Sequence, residues 1–164
     1  MSRDRRSKLK REKPEYDQKL LDLARVTRVV KGGRRFRFRA TLVIGNRKGK
    51  VGVGVAKGAD VSDAIKKAFN DAKKNLVNVK IHKNTIAHDI FVKMGSAKVI
   101  LKPAPAGRGI VAGGAVRAVV DFAGIKNIIS KSLGTANKLN VARATLKGLE
   151  SLGDLRTRES RIAK

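Results

Sequence analysis

Residues 34–44 (RRFRFRATLVI) alternate with a period of two. Phe36, Phe38, Ala40, Leu42 and Ile44 fall on one side of such a strand, and Arg35, Arg37, Arg39 and Thr41 on the other. The aliphatic positions of residues 20–30 predict a preceding strand, and Lys31-Gly32-Gly33 a hairpin turn between the two, because glycine reaches positive φ without steric cost. Gly45-Asn46-Arg47-Lys48-Gly49 predicts a second turn, followed by a strand over residues 51–56. Val51, Val53 and Val55 share one face of it, while Lys50, Gly52, Gly54 and Ala56 leave the other nearly bare. The period then changes. Ile65, Ala68, Phe69, Ala72 and Leu76 recur at three and four, the apolar face of a helix, with Lys66, Lys67, Lys73 and Lys74 mostly away from it. Asp60 or Ser62 suits its N-cap and Asp63 its first turn. Residues 20–78 therefore read as three antiparallel strands closed by a helix on one sheet face, with the arginine face open to solvent.

A second unit begins after Val79. Residues 86–94 and 97–101 read as strands joined at Gly95-Ser96, and residues 103–109 as a Pro/Gly loop. Ala115, Val116, Val119, Val120 and Ala123 form a helical stripe, and residues 126–132 a short strand. Asn137 or Asn140 starts a last helix that turns Val141, Ala144, Thr145, Leu146 and Leu149 inward. The expected class is α+β: a sheet-plus-helix domain over residues 15–78, then a small α/β two-layer domain over 79–152. Residues 1–14 read as a basic disordered arm and 153–164 as a charged tail. With one Tyr, no Trp and five Phe, two separate aliphatic cores would each be marginal, and docking onto a large partner would relieve this.

Charge then narrows the function. The 164 residues carry 39 Lys or Arg against 13 Asp or Glu, a formal net charge of +26. Between Asp22 and Asp60 there are eleven basic residues and no acid. Self-repulsion on that scale is relieved by a polyanion, and nucleic acid is the usual one. No apolar run reaches the ~20 residues of a spanning helix, so no membrane partner is expected. The absence of cysteine excludes disulfides and thiolate metal sites, and fits a reducing cytoplasm.

The candidate contacts follow from the pattern. Arg35, Arg37 and Arg39 stand about 7 Å apart on one strand face, close to phosphate spacing along a nucleic-acid strand. Arg25, Arg28, Lys31, Arg34, Arg47, Lys48, Lys50 and Lys57 extend the basic surface, with Gly32 and Gly33 at the hairpin tip. Phe36 and Phe38 have two readings, base stacking or core packing, and their same-face neighbours Ala40, Leu42 and Ile44 favour the core. Gly107-Arg108-Gly109 and Gly113-Gly114 match neither the dinucleotide fingerprint nor the P-loop. They suit close approach of an RNA strand or a neighbouring protein, with Arg108 as the charged tip. His82 and His88 lack the convergent donors of a zinc site, and no nucleophile or paired acid stands out. No metal and no cofactor is expected.

Several segments in order carry a resemblance: RVTRVVKGGR from Arg25, VGVG from Val51, GIVAGGAVRAV from Gly109 and NVARAT from Asn140. Over residues 15–152 the chain resembles the family of bacterial small-subunit ribosomal protein number five. The resemblance implies a double-stranded-RNA-binding-like N-terminal domain and an α/β C-terminal domain. It implies binding to small-subunit ribosomal RNA, with ribosomal proteins four and eight as neighbours. It further implies a role in assembly, a position along the path by which messenger RNA enters, and an influence on decoding accuracy. The hairpin around Arg25 to Arg34 would approach RNA near the spectinomycin site. Gly107, Arg108, Gly109, Gly113 and Arg117 would lie at the contact with protein four. Arg108 departs from relatives that carry a small uncharged residue there. The other readings are a free-standing double-stranded-RNA- or DNA-binding protein, and a nucleotide-dependent enzyme using the Gly-rich loop.

Overall fold

The structure, a computed structural model, describes residues 15–152; the expected arm over 1–14 and tail over 153–164 lie outside the described residues. Strands β1 (Asp17–Val30), β2 (Gly33–Gly45), β3 (Lys50–Gly58) and β4 (Leu76–Asn78) form one antiparallel sheet in that order. Helix α1 (Val61–Lys74) packs on it. Strands β5 (Ile90–Met94), β6 (Ala97–Pro103), β7 (Ile110–Val111) and β8 (Ile128–Leu133) form a second sheet in the order β5-β6-β8-β7, with β7 parallel to β8. Helices α2 (Gly114–Ala123) and α3 (Lys138–Glu150) cover its inner face. The architecture is α+β, a sheet-plus-helix unit followed by a two-layer unit.

The glycine face of β3 explains how α1 sits so close. Gly52 and Gly54 lie opposite Ile44 and Leu42, and a side chain at Gly54 would run into the Ala68 carbonyl of the helix. On its own side α1 offers Ala64, Ala68 and Ala72, all buried. Small residues facing small residues bring the helix backbone down onto the sheet. Asp60 holds the N-cap position, but its side chain makes no capping bond; its carbonyl accepts from the Ala64 N–H at 3.0 Å. Asn137 does cap α3, its side chain accepting from the Leu139 N–H at 3.2 Å.

Three expectations need correction. Leu76 is not on the helix: α1 ends at Lys74, and Leu76 begins β4. Residues 86–89 are not strand: β5 starts at Ile90, and the preceding segment makes an isolated bridge between His82 and Thr85, with Lys83 and Asn84 at positive φ between them. More consequentially, the second face of the first sheet is open only along its outer half. Thr41, Val43, Val51 and Val53 on that face are buried. The three valines belong to one apolar cluster with Val116, Val119, Ile125 and Val141 of the second unit. Covering each contributes roughly 1.5–3 kcal/mol. The chain thus relieves its marginal cores internally, by sharing one. Backbone bonds reinforce the junction: Arg47 N–H donates to the Phe122 carbonyl at 3.0 Å and Gly49 N–H to the Ala123 carbonyl at 2.8 Å.

Candidate nucleic-acid interface

β2 is buried from Ala40 to Gly45, half-buried at Phe38 and Arg39, and exposed from Gly33 to Arg37. The hairpin of β1 and β2 therefore projects past both α1 and the second unit. Its tip is the two-residue turn Lys31-Gly32, closed by the Val30–Gly33 pair, with Gly33 at φ 137°.

The strand register sorts the basic residues by face. Arg35, Arg37 and Arg39 share one face with Arg28 and Lys57, while Arg25 and Arg34 lie on the other with Phe36. Arg28 sits directly across from Arg35, and Arg39 directly across from Lys57. Like charges opposite one another in a sheet destabilise it by roughly 0.2–1 kcal/mol per pair unless a counter-charge intervenes. The same face forms a shallow groove of about 460 Å³ lined by Val26, Arg28, Arg35, Arg37 and Lys57. Four of its lining side chains are cationic, which fits a phosphate backbone laid along the hairpin.

Not every expected contact belongs to this groove. Arg39 lies 4.0 Å from Asp22, with its Nε atom buried and unpaired. Asp22 also holds Lys138 of α3 at 3.2 Å, so Arg39 marks the inner limit of the open face. Arg47, Lys48 and Lys50 lie at the opposite end of β2, about 40 Å from the tip by strand rise. Arg47 pairs with Asp17 at 3.3 Å and lies over the Phe122 ring, 5.7 Å from its centroid, so its side chain braces the junction of the units. Lys48 and Lys50 are exposed there but form no continuous surface with the hairpin. Phe36, expected in the core, is 47% exposed. Phe38 is the one that packs against the α1 cluster.

The Gly-rich segment forms a separate surface. Gly107 and Gly109 take positive φ around an exposed Arg108, whose N–H donates to the Pro105 carbonyl at 3.3 Å. Asn127 accepts from the Gly109 N–H at 3.1 Å and fixes the loop to β8. Gly113 is the N-cap of α2 and has no close neighbour. Arg117 is exposed on the first turn of α2, and its guanidinium donates to the Ile110 carbonyl at 3.1 Å. Arg117 therefore buttresses the strand that follows the loop.

A further basic surface is not evident from the charge runs alone. In the second sheet Ala97, Val99 and Leu101 face the core, so Lys98, Ile100 and Lys102 face outward. The register adds Phe91, Lys93 and Lys131 to that outer face. Asp89 approaches Lys102 at 3.7 Å. The alternation of residues 97–102 is the signal that could have found it. Among the described residues no three His, Cys, Asp or Glu side chains gather as a metal site, and no helix is long and apolar enough to cross a membrane.

Comparison with known proteins supplies the family. Residues 16–80 match the model of the ribosomal protein S5 N-terminal domain, and residues 92–164 that of the ribosomal protein S5 C-terminal domain. The chain is 54% identical over 138 residues to the small ribosomal subunit protein uS5 of Campylobacter jejuni serotype O:23/36, covering 84% of this chain and 94% of the relative. The corresponding protein of serotype O:2 matches to the same extent. The chain belongs to the ribosomal protein S5 family.

Proposed function

We propose that this chain, a member of that family and so a structural constituent of the small ribosomal subunit in the cytoplasm rather than an enzyme, holds small-subunit ribosomal RNA along the arginine face of its β1–β2 hairpin. The observation that carries the reading is the opposition of Arg28 to Arg35 on a face that holds Arg37 and Lys57 and is open to solvent. A polyanion offsets that repulsion, and a phosphate strand supplies anions at matching intervals. The rigid junction around Val43, Val51 and Phe122 carries the hairpin as a fixed arm, so RNA on the hairpin and partners on the second unit are held in one geometry.

The finer roles of this proposal rest on the family resemblance. The chain ties RNA segments together during assembly of the subunit, with ribosomal proteins four and eight as neighbours. Protein four meets the loop at Gly107, Arg108 and Gly109 together with Gly113 and Arg117, which brings this surface beside the path of incoming messenger RNA and into the control of decoding. The hairpin tip at Lys31, Gly32 and Gly33 lies near the spectinomycin site. The deciding experiment is sedimentation of cell extracts through a high-salt gradient. The chain should travel with small subunits, whereas a free-standing RNA- or DNA-binding protein would shed from them. Recovery only at the top of the gradient would overturn the proposal.

A further inference from the structure

We propose that the opposite face of the same hairpin is a site for a single unpaired RNA base, stacked on the Arg25 guanidinium that Phe36 braces from below. The inference rests on the hairpin being an RNA-binding element and adds a second kind of contact to it. Phe38 and Phe36 point to the same face, yet they differ in cover. Phe38 lies opposite Gly58, where β3 ends under α1, and is half-buried. Phe36 has no β3 partner and remains 47% exposed. Exposing a large aromatic ring in a chain with five Phe and no Trp leaves apolar area in water that the fold alone does not use.

The ring is not bare. The Arg25 guanidinium carbon lies over it, 4.2 Å from its centroid. Arg25 is paired in register with Phe38, and Thr27 with Phe36, so Arg25 reaches diagonally along the strand to make the stack. The ring fixes a long side chain that would otherwise sample many rotamers, which lowers the ordering cost of a ligand placed on it. A guanidinium whose central carbon lies 4.2 Å above an aromatic ring offers its outer face to a further planar group, and a nucleobase has the right shape and electronics. Arg34 stands two residues before Phe36 on the same face, about 7 Å away, within reach of the phosphate belonging to that base. Val29, 77% exposed, adds apolar surface beside it.

Charge selects the occupant. Between Asp22 and Asp60 every charged side chain is basic, so an apolar partner without anions would meet uncompensated repulsion. A nucleotide joins a flat apolar base to an anionic phosphate in one unit. A paired base offers no open face, since its own neighbours cover it; only an unpaired or extruded base fits.

The test uses the full chain and two RNA stems that differ at one position, where the fluorescent base 2-aminopurine is unpaired in one and paired in the other. With no Trp and a single Tyr the protein leaves that signal clear. Wild type should quench the unpaired probe and not the paired one. Phe36→Leu and Arg25→Lys should each abolish the quenching and weaken binding of the unpaired stem about tenfold, leaving the paired stem within about twofold. The Arg35→Gln, Arg37→Gln double variant should keep the quenching at saturation while its salt dependence becomes shallower. An unquenched probe in RNA that wild type demonstrably binds would remove the base site and leave the phosphate contact standing. Failure of wild type to bind either stem would remove both. Quenching that survives in Phe36→Leu and Arg25→Lys would place the base elsewhere. Hairpin amides protected by a purified subunit protein but not by RNA would assign this face to a protein.

Discussion

Gly33 takes φ 137° where the hairpin reverses, a conformation that side chains rarely adopt. Gly33→Val should cost about 1 kcal/mol or more and re-aim Lys31 and Arg34 at the tip. The expected cellular outcome is an altered spectinomycin response; growth curves matching wild type across a drug series would contradict it. Gly54 is constrained differently, by the Ala68 carbonyl of α1 lying against it. Gly54→Ala should lift the helix off the sheet and lower the urea midpoint by the equivalent of roughly 1–3 kcal/mol. At this scale the sequence is half legible. The bare face of Gly52 and Gly54 is visible in it, but the purpose of that face is not, because a close helix approach is a tertiary fact. The true environments of Phe36, Arg39 and Arg47 are also hidden. Each depends on where another element ends or turns: β3 for Phe36, the acid of β1 at Asp22 for Arg39, and the C-terminus of α2 for Arg47.

Among the elements, β2 shows most clearly how one strand serves two purposes. From Gly33 to Arg37 it is exposed on both faces, and from Ala40 onward it is buried on both. The change is written in the chain, since the arginines at 35, 37 and 39 give way to Thr41 and Val43 on the same face. Strict alternation carries on through that switch and so implies a single open face where there are two environments. α1 and α3 are legible from their period because they are long and half-covered. β4 and β7, of three and two residues, leave no periodic trace and exist only by pairing with β3 and β8. The hairpin's charge pattern makes a prediction about folding as well as binding. Arg35→Gln should raise stability slightly in low salt by removing the repulsion from Arg28 across the ladder, and the gain should fade in high salt. Equal denaturant midpoints for both proteins at low salt would count against the close opposition.

For the molecule as a whole, the shared cluster makes the two units interdependent. Residues 15–78 alone would expose Val43, Val51 and Val53, which pack on Val116, Val119 and Val141. That fragment should aggregate or lose its sharp unfolding transition, while the full chain unfolds in one step; a cooperative, monomeric fragment of native stability would refute the shared core. We propose the division near residues 78 and 79 as a boundary between units of one body. In the second unit, Arg117 braces Ile110, which follows the Gly-rich loop. Arg117→Leu removes both the exposed charge and this brace, and should loosen the proposed contact with protein four. If that contact restrains closure of the subunit, stop-codon readthrough should rise while subunit profiles stay normal. Normal readthrough would remove Arg117 from decoding, and absent subunits would make it an assembly residue.

Phosphate binding along one face of the hairpin should be visible in the salt dependence of binding to a small-subunit ribosomal RNA fragment. Arg28, Arg35 and Arg37 are the residues to change, since Arg39 is engaged by Asp22. A variant with all three replaced by Gln should keep its sheet, because the side chains are exposed. It should flatten the slope of log K against log salt by about 2–3, or roughly 0.7–0.9 for each phosphate no longer neutralised. The companion variant Lys93→Gln, Lys98→Gln, Lys131→Gln on the outer face of the second sheet should change the slope less. A hairpin variant with the wild-type slope, or a larger change from the second sheet than from the hairpin, would place the RNA on another surface.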